Sequence, residues 1–290
     1  MNLPCRAAFG AFFLAAVGGA ASAQTVIKDA GFALPEAMRY DAANDRYLVA
    51  NINGEPTGFD NNGFISIVTP DGKVSNLKWI AGGERRVDLH APKGMAIRQG
   101  VLYVADIIAV RMFDLASGAP MGAFEIAGAQ FLNDLVVAAD GTIYVTDTGD
   151  LAVDGPTAAI YKINQQGQAT AIARGPALKR PNGIAFDAAG NIVTVTFGGA
   201  EVVTRRPDGT VLDTKTLPQG QLDGLLILPD GSKLISSWEG KNVVRLRPDG
   251  TTQVVVDNVE APAAIGFDSK RQKVLIPQLT LNTLVIADLK

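Results

Sequence analysis

Past its opening two dozen residues, the chain is written as short apolar runs separated by Gly-containing turns. Asp134-Leu-Val-Val-Ala138 leads through Asp140-Gly141 to Thr142-Ile-Tyr-Val-Thr146. Ala159-Ile-Tyr-Lys-Ile163 then leads through Gln166-Gly167 to Ala169-Thr-Ala-Ile-Ala173. Such β-branched and aromatic runs predict consecutive antiparallel hairpins. Pro70-Asp-Gly72, Pro207-Asp-Gly209 and Pro248-Asp-Gly250 repeat one late turn. Proline presets φ there and glycine accepts the left-handed position. No long helical periodicity follows the leader, so the pattern predicts an all-β fold.

The hairpins fall into six units, each opening on a related segment. These are Leu34-Pro-Glu-Ala-Met-Arg-Tyr-Asp41, Ala91-Pro-Lys-Gly-Met-Ala-Ile97, Phe131-Leu-Asn-Asp-Leu-Val-Val137, Arg180-Pro-Asn-Gly-Ile-Ala-Phe-Asp187, Gln221-Leu-Asp-Gly-Leu-Leu-Ile227 and Ala261-Pro-Ala-Ala-Ile-Gly-Phe-Asp268. Their third residues are Glu36, Lys93, Asn133, Asn182, Asp223 and Ala263, spaced 57 (36 to 93), 40 (93 to 133), 49 (133 to 182), 41 (182 to 223) and 40 (223 to 263). Four-stranded propeller blades run about 40–50 residues. The chain therefore predicts a six-bladed β-propeller forming a single domain over residues 24–290. Unit six supplies only three strands, Ala264 to Asp268, Lys273 to Pro277 and Thr283 to Ala287. A strand at Thr25 to Lys28 is expected to complete it and close the ring, which removes open sheet edges. A β-sandwich of equal strand content does not explain the shared register. The insertions Asn53 to Asn62, Ala81 to Leu89 and Gly149 to Thr157 read as loops on one rim.

Composition narrows the classes. The chain has 290 residues, a formal charge of -3 and 47% hydrophobic residues. Charges are interspersed without a basic patch, which argues against a nucleic-acid partner. Residues 1–23 combine a positive charge, the apolar stretch Ala7 to Ala16 and the cleavage pattern Ala21-Ser-Ala23. They read as a signal peptide cut after Ala23, giving a periplasmic or secreted protein with no membrane association after cleavage. The one cysteine, Cys5, leaves with the leader, so the mature chain has no disulfide.

The first strand of each propeller blade lines the central channel, so the six third residues lie at one height around the axis. Glu36, Asn133, Asn182 and Asp223 then offer two carboxylates and two amide oxygens to one point. Oxygen donors suit one hard divalent cation, Ca²⁺ above all. One histidine and no mature cysteine exclude a zinc site rich in those residues. The alternative is that these polar starts hydrogen-bond channel water.

With Pro35-Glu36, Leu132-Asn-Asp134, Arg180-Pro-Asn-Gly-Ile-Ala-Phe-Asp187 and Leu222-Asp-Gly-Leu225 in this order, the chain resembles the senescence-marker-protein/gluconolactonase/luciferin-regenerating-enzyme superfamily over residues 25–290. Paraoxonases are distant relatives. The resemblance implies that Glu36, Asn182 and Asp223 bind a divalent cation, and that Asn133 contacts the metal or the substrate. Two positions depart from the pattern. Lys93 stands where paraoxonase-like members carry a histidine, and Phe131 stands where regucalcin-type members carry a sugar-gripping arginine. A less polar substrate than a sugar lactone then becomes equally compatible.

Lys93 can act as a base, as an electrostatic clamp for developing negative charge, or as an ammonium replacing the metal. Asp106 and Asp147, at the ends of second strands, are candidate bases whose other role is to cap turns. Asn51 and Ser237 occupy equivalent positions. Phe131, Trp238 and Phe197 are candidate apolar walls for a substrate, while His90 reads as a hydrogen-bonded structural residue. The expected function is an exported, metal-dependent hydrolase of a lactone or related ester, a small-molecule substrate. The alternative is a non-catalytic propeller that binds a ligand or partner on its loop-rich face.

Overall fold

The computed structural model describes residues 24–152 and 157–289, so the expected leader lies outside the described residues. Six four-stranded antiparallel sheets form a six-bladed propeller. Their innermost strands are Pro35–Asp41, Pro92–Arg98, Leu132–Val137, Pro181–Phe186, Leu222–Ile227 and Gly266–Asp268. Strands then run outward in chain order in blades one to five. Blade six takes Gly266–Asp268, Lys273–Gln278 and Thr283–Asp288 from the C-terminal end and Gln24–Ile27 from the N-terminal end. The last two pair as Gln24↔Ala287 through Ile27↔Leu284. This is the expected closure, shifted by one residue from Thr25–Lys28.

Blade six also starts later than expected. Its inner strand begins at Gly266 because Ala264 is engaged across the ring seam. Ala264 N donates to Glu36 O at 2.9 Å, and Met38 N donates to Ala264 O at 3.1 Å. The seam is reinforced on the surface by Arg271, whose guanidinium reaches Asp45 at 2.7 Å and Asp268 at 2.9 Å.

Period-two alternation gives each sheet two apolar faces, and each face packs on the next blade. Among the described residues each of the six interfaces carries a buried cluster. Leu48 and Ile65 meet Met95 and Leu102 between blades one and two, for example. Tyr144 and Ile160 meet Ile184 and Ile192 between blades three and four. Ile27 and Leu284 meet Met38 and Tyr47 at the seam. Each fully buried Leu or Ile contributes about 1.5–3 kcal/mol of burial, offset by conformational entropy.

The inner strands approach closely enough to require glycine after the third residue in three units. A Cβ on Gly94 would lie 2.5 Å from Asp134 Cα, and one on Gly183 would lie 2.5 Å from Asp223 O. One on Gly224 would lie 2.5 Å from Ile265 N. Below this level Arg39 crosses the channel. Its guanidinium donates to Met95 O at 2.7 Å, Met38 O at 2.9 Å and Ile265 O at 2.7 Å, and reaches Asp134 Oδ1 at 3.0 Å. One side chain thus ties three further blades together and forms a floor.

Candidate functional site

Each of the first five inner strands breaks its pairing at the same place. The register shifts between Pro35 and Ala37, Pro92 and Met95, Leu132 and Leu135, Pro181 and Ile184, and Leu222 and Leu225. A bulge releases a side chain from strict alternation and re-aims it. Here it turns the third residue of each unit away from the blade interfaces. Two residues earlier, Leu34, Arg180, Gln221 and Ala261 adopt left-handed backbone, with φ of 49°, 55°, 50° and 42°. Non-glycine residues hold that conformation at a cost of about 1–3 kcal/mol each, a strain that clusters at functional sites.

Glu36, Asn133, Asn182 and Asp223 are 5%, 4%, 3% and 4% exposed. Glu36 Oε2, Asn133 Oδ1, Asn182 Oδ1 and Asp223 Oδ1 are all buried without a hydrogen-bond partner. One such atom costs about 1–3 kcal/mol, so these four oxygens call for partners from outside the chain, whether ordered water or an ion. The Asn133 amide is held in place: its Nδ2 donates to Thr148 Oγ1 at 3.2 Å, and that hydroxyl donates to Pro181 O at 3.0 Å. This leaves Oδ1 as the free end. The buried Trp238 indole N–H faces the Asp223 carboxyl closely enough to pull on it, but without the geometry of a full hydrogen bond.

The carboxylates influence one another. Burial first, then Asp223 and Asp134, push the Glu36 carboxyl well above its ordinary range, while Lys93 and Arg39 pull it partly back. Burial and then Asp134 push Asp223 up to about 8, against the pull of the Trp238 N–H. Negative charge is therefore costly here without a cation. Among the described residues no three His, Cys, Asp or Glu side chains cluster together. The donors are two carboxylates and two amides, a set suited to a hard cation rather than to zinc.

Lys93 is 1% exposed and belongs to the same level. Its Nζ donates to Pro56 O at 2.8 Å and Ala91 O at 2.9 Å, and lies 4.3 Å from the Phe131 ring centre. These three partners use its three N–H bonds. Among the described residues no ion pair joins it to Glu36 or Asp223. The ammonium is thus held by two backbone carbonyls and an aromatic face, with Glu36 acting on it only through space. Burial lowers its pKa to about 8, against the opposite pull of Asp106 and Glu36.

The second-strand carboxylates are engaged elsewhere. Asp106 accepts from Ala91 N at 2.7 Å and His90 N at 3.1 Å, and pairs with Arg111. Asp147 accepts from Phe131 N and Gly149 N at 2.9 Å and from Gln130 N at 3.1 Å. Asn51 accepts from Ala33 N at 3.1 Å, and Ser237 donates to Gly220 O at 2.8 Å. The same device recurs in four blades: the end of the second strand ties down the loop that feeds the first. The geometry gives Asp106 and Asp147 this tying role and leaves neither carboxylate free as a base. His90 accepts from Asn61 N at 2.9 Å and pairs with Asp88, anchoring the loop at 53–62. Trp238 and Phe197 stack edge to face with centroids 5.2 Å apart. Arg39 and Asp134 lie inside the unit-opening segments but, like Thr148, carry no sequence signal of their own.

A gluconolactonase from Xanthomonas campestris aligns at 20% identity over 91% of this chain and 89% of its own, with a TM-score of 0.69. The calcium-binding protein regucalcin from Agrobacterium tumefaciens aligns at 15% over 89% and 90%, with a TM-score of 0.63. Virginiamycin B lyase from Staphylococcus aureus aligns at 11% over 93% and 100%, with a TM-score of 0.66. At these identities the likeness establishes the fold alone. No curated protein matches the sequence. The SMP-30/gluconolactonase/LRE-like region matches residues 34–276. A propeller whose match runs from blade one into blade six leaves one conclusion: the chain belongs to the SMP-30/gluconolactonase/LRE-like family.

Proposed function

We propose that the protein is an exported, divalent-metal-dependent hydrolase of a lactone or related ester. The observation that carries this reading is the set of four buried, unpartnered oxygens on Glu36, Asn133, Asn182 and Asp223. The neighbouring gluconolactonase and calcium-binding regucalcin support it, and the leader sequence supports export. Those four side chains hold the cation, with Ca²⁺ favoured by the all-oxygen set. A bound divalent cation supplies Lewis-acid polarisation of a carbonyl.

The chain's own residues do the rest. Water adds to the carbonyl carbon, the ring C–O bond breaks, and a hydroxy acid results, with one proton passing to the alkoxide oxygen. With Asp106 and Asp147 committed to loops, proton acceptance falls to the second carboxylate oxygen of Glu36 or Asp223, the first being given to the cation. The fixed Lys93 ammonium adds positive charge beside the reacting carbonyl, and its field stabilises the developing oxyanion. Asn133 and the Trp238 indole N–H position the substrate, and Phe131 shields the Lys93 side from water.

The test is Asp223→Ala, which is expected to abolish both Ca²⁺-dependent thermal stabilisation and hydrolysis across a lactone panel. Unchanged turnover in a folded Asp223→Ala protein overturns the mechanism. A binding propeller is the second reading, favoured by the engagement of both second-strand carboxylates; it predicts Ca²⁺ stabilisation without turnover.

A further inference from the structure

A cavity of about 470 Å³ opens on the loop face. Its lining includes Thr57 and Phe59 from the blade-one insertion, Ile108 from blade two, and Ala129, Gln130 and Leu151 from blade three. Chain connectivity places it against the ring. Thr57 follows Pro56, whose carbonyl receives Lys93 Nζ, and Gln130 precedes Phe131, on which that ammonium rests. The cavity therefore lies beside the Lys93–Phe131 pair.

The chemistry of this cavity is unlike that of the ring. No lysine, arginine or histidine lines it, and its only acid is Asp150. Phe59 is 59% exposed and Leu151 is 44% exposed, large apolar side chains left in water at the mouth of a polar site. Solvent-facing apolar groups around a concavity mark a binding surface. The Phe59 ring is also fixed, edge to face with His90 at 5.3 Å, and His90 is itself held by Asn61 and Asp88. A preset apolar wall needs little ordering when a ligand arrives.

We infer that this cavity is a subsite for an unbranched alkyl or acyl arm, so that the substrate class is a lactone carrying an apolar side chain and not a polyhydroxylated sugar lactone. The inference rests on the hydrolase reading for its orientation, with the lactone carbonyl toward the ring and the arm toward Phe59. The Phe131 ring faces the ammonium instead of offering hydrogen bonds to sugar hydroxyls, which removes a reason for a polyol to bind. Each methylene transferred from water is worth roughly a three- to fourfold gain in affinity.

The experiment uses the mature protein with Ca²⁺ and the series γ-butyrolactone, γ-hexalactone, γ-octalactone and γ-decalactone, with glucono-δ-lactone beside it. Hydrolysis gives kcat/KM and calorimetry gives Kd for each compound. The expected result is a rise of about threefold per added methylene until the cavity fills, with glucono-δ-lactone below γ-octalactone. Within each of the variants Phe59→Ala and Ile108→Asn, the ratio of γ-decalactone to γ-butyrolactone falls about tenfold. Because the ratio is taken inside one protein sample, partial misfolding cancels. A flat chain-length series in both kcat/KM and Kd overturns the subsite while leaving the hydrolase reading intact. Chain-length-dependent Kd with no turnover of any lactone keeps the subsite and removes the hydrolase reading.

Discussion

Replacing Lys93 with methionine separates a pinned, isolated ammonium from one that neutralises the channel carboxylates. In the folded protein the amine titrates at about 8, lowered mainly by burial, and in an unfolded chain at about 10.4. Between these values the unfolded state binds the proton and the folded state does not. Stability therefore rises with pH through that window. The gap is about 2.4 units, which at 1.36 kcal/mol per unit comes to about 3 kcal/mol. Below pH 8 the buried charge is a standing cost of this order, offset by the carbonyls of Pro56 and Ala91 and by the Phe131 ring. Lys93→Met removes the cost and the offsets together, leaving two carbonyls without a donor, so at pH 7 the net change is expected within about 2 kcal/mol. The sharp expectation concerns the difference between the proteins. Urea unfolding in EDTA from pH 7 to 10.5 should show wild type gaining about 3 kcal/mol on Lys93→Met above pH 8. Lysines and tyrosines that do not interact with Lys93 cancel in that difference; Glu36 does not, because Lys93 pulls its carboxyl down. A wild type that instead loses ground as pH rises would mean that the ammonium is ion-paired with Glu36 or Asp223 and takes the place of a metal.

Two further expectations probe the frame around the site. Gly183→Ala puts a methyl 2.5 Å from Asp223 O and 2.7 Å from Leu225 N, both backbone atoms; overpacking of this kind costs about 1–3 kcal/mol, and a denaturation midpoint unchanged from wild type would show that the inner strands can part freely. Thr148→Val removes the hydroxyl that fixes the Asn133 amide and is expected to weaken Ca²⁺ binding about tenfold by calorimetry, the size found for outer-shell ligands; equal affinity would show that Asn133 orients itself.

The repeat was legible because a blade cannot bury its own faces. Each unit must repeat the alternation that packs on its neighbours, and a repeat shows in one sequence. Register alone singles out Glu36, Asn133, Asn182 and Asp223, and each of them buries an unpartnered oxygen. What register could not supply is the direction of a side chain. The bulges at Pro35–Ala37, Leu132–Leu135, Pro181–Ile184 and Leu222–Leu225 leave no mark in composition, because they arise from pairing with the second strand. Asp106 and Asp147 were drawn toward catalysis by their position at the site face, and only the positions of the backbone N–H groups around them revealed a tying role.

The sequence by itself determined the all-β class, the six units and the closing N-terminal strand. These follow from local periodicity and spacing, which a linear chain records. The tertiary structure decided where the Lys93 ammonium rests, that Arg39 floors the channel through four blades, and that loops of three blades share one cavity. Each depends on groups from different blades meeting in space: Pro56 with Lys93, Arg39 with Asp134 and Ile265, Phe59 with Leu151. Their sequence separations are set by ring closure, and no local pattern encodes which distant atoms will face one another.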